Sequence, residues 1–487
     1  MKHFQVILLG IVCLLPLIES IAQSPDLSVT QVQEDYRIFR SALLDAHPGL
    51  NLYLDNTDIA TLFPKELSVM DSSLRLDFYE TLAFKTAAIQ DGHTSLKPGK
   101  QLEAAVQTIP HLPFELEWID DQLILTQWLA GEPVIPEFSV IQGINGISAT
   151  TIMETLWSVT SADAGNQGFK VAYNNKILAN QIRRHFGRPE GYTLEWISKT
   201  GETQRTRVKG ASARPATNGP DYPLIQLSLE KEKNYAYLDI RTFQHKLLNE
   251  MHIQFPNYIH EAFKAIRKSD IDHLIIDLRD NVGGENIFAL YLYTYLAFKD
   301  FKAMSPGQTK LGPSFSWLEF SNFPSGEIPF LSKRTSKVVD AKWTLLSGGI
   351  DSKVSYSSTS IFFDHLGKSR DIKKQKFEGH VYLLINGLTF SAASHFASLL
   401  STREQVTFVG EAMGGAHGPS CGSGQVMLEL PHSGFRLSIP FVQRQVADID
   451  LDRGPILQPD YKVKVSLEDR KVGRDPVMEK VLELIKD

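Results

Sequence analysis

Ser391 stands where an apolar strand hands over to a helix in FEGHVYLLINGLTFSAASHFASLL, Phe377 to Leu400. VYLLIN has strand length, NGLTF is rich in turn formers, and SAASHFASLL repeats its apolar residues at helical spacing. A hydroxyl at a helix N-terminus faces unpaired N–H groups and the positive end of the dipole, a setting that suits either a helix cap or a nucleophile. A second apolar strand, in HLIIDLRDNVGGENIF, breaks at Asn281-Val282-Gly283-Gly284 before another helical run. Paired glycines turn the backbone sharply and bare its N–H groups, which is what stabilising an oxyanion requires. In LAFKTAAIQDGHTSL a helical stretch stops at Asp91-Gly92 and leaves His93 just beyond it, as a capping histidine or, given the serine, as a base for it. Neither a dinucleotide fingerprint nor a phosphate-binding loop is present in the glycine turn.

Together these segments resemble the serine peptidase family of the C-terminal-processing proteases, the tricorn core and the interphotoreceptor retinoid-binding protein. The strings that carry the resemblance are DGHT at Asp91 to Thr94, IIDLRDNVGG at Ile275 to Gly284, NGLTFSAAS at Asn386 to Ser394, VGEAMGG at Val409 to Gly415, and Pro459-Asp460. It spans the chain from about residue 30 to the C-terminus, and five loose strings in one order are far more specific than any of them alone. The resemblance implies that Ser391 attacks a peptide carbonyl and that the amides of Gly283 or Gly284 and of Ala392 bind the oxyanion.

One departure bears on mechanism. The C-terminal-processing members take their base from a lysine after the V-G-E string, and here that stretch reads Gly415-Ala416-His417. A serine without a base is a poor nucleophile, and the tricorn-like branch supplies a histidine from a D-x-H-T segment, which corresponds to His93. His417 is a rival, though its glycine-rich setting reads as a mobile loop. A histidine base needs a carboxylate to fix its tautomer. The tricorn-like pattern points to Asp452, with Asp450 and Glu411 as alternatives. Ser394 replaces a glutamate carried by many relatives, which bears on a helix contact and not on the nucleophile.

The implied function is an exported serine peptidase without metal or organic cofactor, acting on a peptide or protein substrate. The alternatives are a non-catalytic protein of the same fold that binds peptides or apolar ligands, and an esterase using the same serine. The net charge of −6 over 487 residues suggests no nucleic acid. The first 22 residues, with a basic start, an apolar run from Val6 to Ile18 and Ser20-Ile21-Ala22 before Gln23, read as a signal peptide. The expected location is therefore the periplasm or the exterior. Beyond that segment only Cys421 remains, so neither an intrachain disulfide nor a cysteine-ligated metal site is expected. No later run is long enough to span a bilayer.

These residues must be positioned by a multi-domain α/β chain. Residues 23–106 read as an N-terminal helical cap carrying His93, with amphipathic stretches such as VQEDYRIFRSALLDAHPGL and SLRLDFYETLAFKTAAI. Residues 107–212 show short alternating runs with one helix at Ala149 to Ser158, and VIQGINGISATTIMETL is similar to the strand-turn-helix of a PDZ-type domain. Residues 213–487 form the α/β domain, of the ClpP/crotonase-like kind, with NYAYLDIRTF as opening strand and a helix around Met251 to Arg267. Within it, residues 302–376 read as an insertion with isolated aromatics, Phe315, Trp317, Phe320 and Trp343, either a lid over the site or a surface excursion. QVMLELPHSGFRLSIPFVQ reads as a β-hairpin turning at His432-Ser433-Gly434.

Overall fold

The structure is a computed structural model that describes residues 27–68, 72–73, 75–214, 223–298, 301, 315–322, 374–446 and 449–486. The expected signal peptide, and the insertion apart from residues 315–322 and 374–376, lie outside the described residues.

The two apolar motif strands, His273–Asp277 and His380–Ile385, are the centre of a six-stranded sheet. Its order runs Ile225–Glu230, Tyr235–Ile240, His273–Asp277, His380–Ile385, Val406–Gly410, Tyr461–Lys462, and every pair is parallel except the first. The edge strand Ile225–Glu230 precedes the strand read as the opening one. Strands this apolar require cover on both faces. The helices Phe255–Lys268, Asn286–Thr294 and Ala392–Leu400 cover one face around Leu274, Ile276, Leu383 and Ile385. Val477 and Val481 of the helix Pro476–Lys486 cover the other around Ile275, Tyr382 and Leu384. Asp277 lies opposite Leu384, so the two central strands end at one level and their loops emerge side by side at the carboxyl edge, where parallel sheets bind ligands. Arg279 of the first loop spans Asp277 and Asp475, at 2.7 Å from each, and so ties the sheet to the start of the C-terminal helix.

The alternating runs of the middle segment form an antiparallel sheet in the order Phe114–Ile119, Gln122–Trp128, Ser139–Ile144, Tyr192–Ile197, Thr203–Val208. The helix Ala149–Ser158 packs on it, and so does a second helix, Gln167–Phe186, that the sequence reading missed. Asn166 caps that helix, and Leu178, Ile182 and Phe186 put an apolar stripe on the sheet. Its polar content, Asn174, Asn175, Gln181 and the basic last turn, hid the stripe.

The N-terminal helices Val29–Ala46 and Arg75–Ala88 do not stand alone as a cap. They share one core with the hairpin strands Ser420–Glu429 and Arg436–Arg444, through Phe78, Leu82, Phe435, Leu437 and Ile439. Ser95–Lys97, directly after His93, joins the hairpin as a third strand with Ser95 opposite Ser438. That pairing ties the His93 loop to the hairpin, in a three-stranded sheet separate from the six-stranded one. The described part of the insertion packs here too: Trp317 is buried, and its indole N–H donates to Asp45 at 3.1 Å.

Candidate active site

The loops after the two central strands interlock before any catalytic group is placed. The Asp280 amide donates to Asn386 Oδ1 and the Asn386 amide group donates back to Asp280 Oδ1, at 3.0 and 2.9 Å. Thr389 Oγ1 donates to the Leu278 carbonyl at 2.9 Å, and the Phe390 amide donates to the Asn281 carbonyl at 3.0 Å. Ser391 then takes φ 54° and ψ −120°, a left-handed conformation that costs a non-glycine residue roughly 1–3 kcal/mol. The interlocked loops hold it there. Its hydroxyl makes no capping bond to the helix Ala392–Leu400 that it begins. Instead Ser391 Oγ lies 3.0 Å from His93 Nε2.

With Nε2 accepting from the serine hydroxyl, as a base must, Nδ1 carries the hydrogen. The ring is stacked on Phe390 at 4.8 Å between centroids, and its side chain is 15% exposed. Nδ1 has no hydrogen-bond partner among the described residues, and Asp91 Oδ1 is 4.0 Å away. Asp91 is held from behind. The Gly49 amide donates to His47 Nδ1 at 3.1 Å, so His47 bears its proton on Nε2 and donates to Asp91 Oδ2 at 2.9 Å. The Thr94 hydroxyl donates to the same oxygen. Burial works against the charge of Asp91, but the His47 hydrogen bond, the neighbouring imidazoles and Thr94 outweigh it and hold the carboxyl below its ordinary range. A second buried carboxylate, Asp163, accepts from the Gly92 amide at 2.7 Å and the Ala416 amide at 3.0 Å. Burial first and the charge of Asp91 second push its pKa up. Of the two, Asp91 is the acid whose charged form its neighbours favour.

A serine on a strained elbow, hydrogen-bonded to a histidine with a buried carboxylate beside it, is the constellation of acyl transfer. Residues 234–440 match the family model of peptidase family S41. Residues 234–440 are thus a peptidase family S41 domain, and the protein is a serine-type peptidase. Among solved structures, mature CPAF is similar at 13% identity and TM-score 0.62, covering 94% of this chain and 97% of that one. CPAF complexed with lactacystin matches at 14% identity and TM-score 0.62, over 94% and 98%. The photosystem II D1 C-terminal processing protease aligns at 12% identity and TM-score 0.40, over 95% and 98%. No curated protein matches.

The remaining residues read from the sequence take varied places in this S41 site. Gly283 has φ +91°, and a Cβ on it would fall 2.8 Å from both the Ala392 nitrogen and Ser391 Cβ, so only glycine admits the nucleophile so close. Its own N–H, however, donates to Asn281 Oδ1 at 2.9 Å. The expected oxyanion role of Gly283 is corrected accordingly: it shapes the turn, while no hydrogen bond commits the amides of Gly284 and Ala392 among the described residues. Asp452 is not brought to His93. It sits on the exposed turn Leu451–Arg453, its amide bonded to Asp450 Oδ1, and the Asp450 carbonyl meets His417. Glu411 also makes no bond to His93, its amide donating to the Ile385 carbonyl.

His417 proves fully buried between Ser398 Oγ and the Asp450 carbonyl, both at 3.0 Å, rather than on a mobile loop. Ser394 Oγ donates to the Ser391 carbonyl at 2.8 Å and packs against Gly415, which keeps the elbow's helix turn closed. His395, one turn past the serine, lies between Asn286 Oδ1 and Ser420 Oγ, and burial pushes its pKa down to about 4. Sequence reasoning passed over His47 and Asp163. His47 resembled His93 in one respect, a histidine at a helix end before Pro-Gly, but nothing in DAGN around Asp163 announced a site. Two groups of donors lie close enough to hold a metal ion, His47 with Asp91 and Cys421, and Asp91 with His93 and Asp163. Both His47 nitrogens and both Asp163 oxygens are already hydrogen-bonded, which suits a proton-handling network better than a ligand set.

Proposed function

We propose that this chain is an exported serine peptidase in which Ser391 attacks the scissile carbonyl while His93 Nε2 takes the hydroxyl proton. The amides of Gly284 and Ala392 receive the oxyanion, and His93 then returns the proton to the leaving amine. Asp91 supports the imidazolium that forms. At 4.0 Å its attraction is electrostatic, on the order of 4 kcal/mol at an effective dielectric of about 20 before solvation costs. The observation that carries the reading is the 3.0 Å contact between Ser391 Oγ and His93 Nε2, joining residues from opposite ends of the chain on a strained elbow. The retention of this contact also favours an enzyme over a binding protein of the same fold. A panel of matched peptide and ester substrates tests the choice of peptidase: hydrolysis of esters alone would make it an esterase.

The choice of acid is tested by two substitutions. Asp91→Asn keeps the shape of the side chain and removes its charge, and is expected to lower kcat by about a hundredfold or more. Asp452→Asn, on its exposed turn, is expected to leave kcat unchanged; a large loss there with none at Asp91 would restore the acid expected from the sequence. Export is proposed from the first 22 residues, with the mature chain beginning at Gln23. N-terminal sequencing of the secreted protein checks this, and a start at Cys13 would replace soluble export by lipid anchoring. Among the described residues no helix is long and apolar enough to cross a membrane. We further propose that the middle sheet and its helices are a PDZ-like module, as the strand-turn-helix around Gly146 suggests.

A further inference from the structure

The turn Ala162–Asn166, which leads into the middle helix Gln167–Phe186, is bonded to both loops that make the site. Toward the histidine loop, the Ala164 amide donates to the Gln90 carbonyl at 3.0 Å and Asp163 Oδ1 accepts from Gly92 at 2.7 Å. Gly92 is the residue next to His93. Toward the loop behind the elbow, Asp163 Oδ2 accepts from Ala416 at 3.0 Å, and Asn166 Nδ2 donates to the Met413 and Gly414 carbonyls at 2.8 and 3.1 Å. The Gly414 and Gly415 amides in turn donate to the Thr389 carbonyl, two residues before Ser391. The aromatic chain Phe169, Phe390, His93, with 4.8 Å between successive centroids, runs along the same path.

The turn is shaped for this docking. Ala164 has φ 52° and ψ 25°, and Gly165 follows at φ +66°, two left-handed residues in succession that no helix or strand of the middle module requires. Asp163 is 3% exposed, and its two oxygens are spent on amides from two separate loops and not on its own turn. A carboxylate with each oxygen on a different loop fixes the distance between those loops. One of them carries His93, and the other supports Ser391.

We propose that Asp163 is a positioning residue for the reaction, the point through which the middle module sets the His93 to Ser391 contact. This rests on the reading of Ser391 and His93 as nucleophile and base. The middle module then is part of the catalytic assembly and not a tethered recognition unit.

The test compares wild type, Asp163→Ala, Asp163→Asn and Ser391→Ala as full-length mature proteins, measuring kcat and KM on one peptide and thermal unfolding. Misplacing a base by a fraction of an ångström to an ångström costs up to about a hundredfold, so Asp163→Ala is expected to lose about tenfold to a hundredfold in kcat with KM essentially unchanged. Asp163→Asn retains one acceptor for the Gly92 amide and is expected to recover part of that loss. A role confined to folding would lower the unfolding temperature and the fraction of active protein without separating kcat from KM, and without rescue by asparagine. The proposal is overturned if Asp163→Ala keeps the wild-type kcat, if the loss lies in KM alone, or if alanine and asparagine are equally impaired in proportion to lost folded protein. Should Asp163→Ala fail to fold, the asparagine variant decides: wild-type kcat overturns the proposal, and a kcat loss at unchanged KM and unfolding temperature supports it. Turnover that survives in Ser391→Ala would instead sink the underlying assignment of the nucleophile.

Discussion

Ser391→Ala is expected to be folded and to hydrolyse peptides at least about a millionfold more slowly than wild type, which is below detection in an ordinary assay. The fold should survive because the hydroxyl caps nothing: its partner is His93, and alanine tolerates the φ of 54° about as well as serine does. The elbow itself is held by Asn386, Thr389 and Phe390, none of which touches the hydroxyl. Circular dichroism and thermal unfolding should therefore superpose on wild type while turnover disappears. Residual turnover near the wild-type rate in a purified sample would mean that another nucleophile works in this cleft.

The second large effect is that of the base. His93→Ala is expected to cost nearly as much in kcat as Ser391→Ala, roughly a hundred-thousandfold or more, because nucleophile and base act as a unit and removing one member forfeits most of what both provide. Neighbouring imidazoles do not compensate. His395, held near a pKa of about 4, is a weak base whose nitrogens are spent on Asn286 and Ser420. His47 spends its nitrogens on Gly49 and Asp91, and His417 on Ser398 and the Asp450 carbonyl. Steady-state kinetics on one peptide, with unfolding curves alongside, measures this. If His93→Ala keeps most of its activity, the proton leaves Ser391 by another route.

How much of this was legible beforehand depended on whether a residue's role is written in its immediate neighbours. Ser391 was readable because strand, turn and helix follow one another around it, and the glycine turn was readable for the same reason. His93 needed the serine: a histidine past a helix stop is ordinary until the strand Ser95–Lys97 is seen to join a hairpin more than three hundred residues later. The helix Gln167–Phe186 was missed because its apolar stripe is interleaved with asparagines and basic residues. Asp163 and His47 were missed because their meaning comes only from loops brought to them by tertiary folding. Asp452 was chosen by its order along the chain, yet the carboxylate nearest the imidazole is Asp91, two residues before the histidine, buried and braced by His47 and Thr94. The resemblance implied the reaction, and the proposal of Asp91 as the acid rests on three-dimensional packing alone.

The measurement closest to the central claim is peptide mapping, by mass spectrometry, of the adduct formed with a fluorophosphonate probe on wild type and His93→Ala. The account predicts one phosphonyl group per chain on the peptide holding Ser391 in wild type, and labelling slowed by roughly the same factor as turnover when His93 is removed. An adduct on any other residue, or labelling of Ser391 at the wild-type rate without His93, would contradict it.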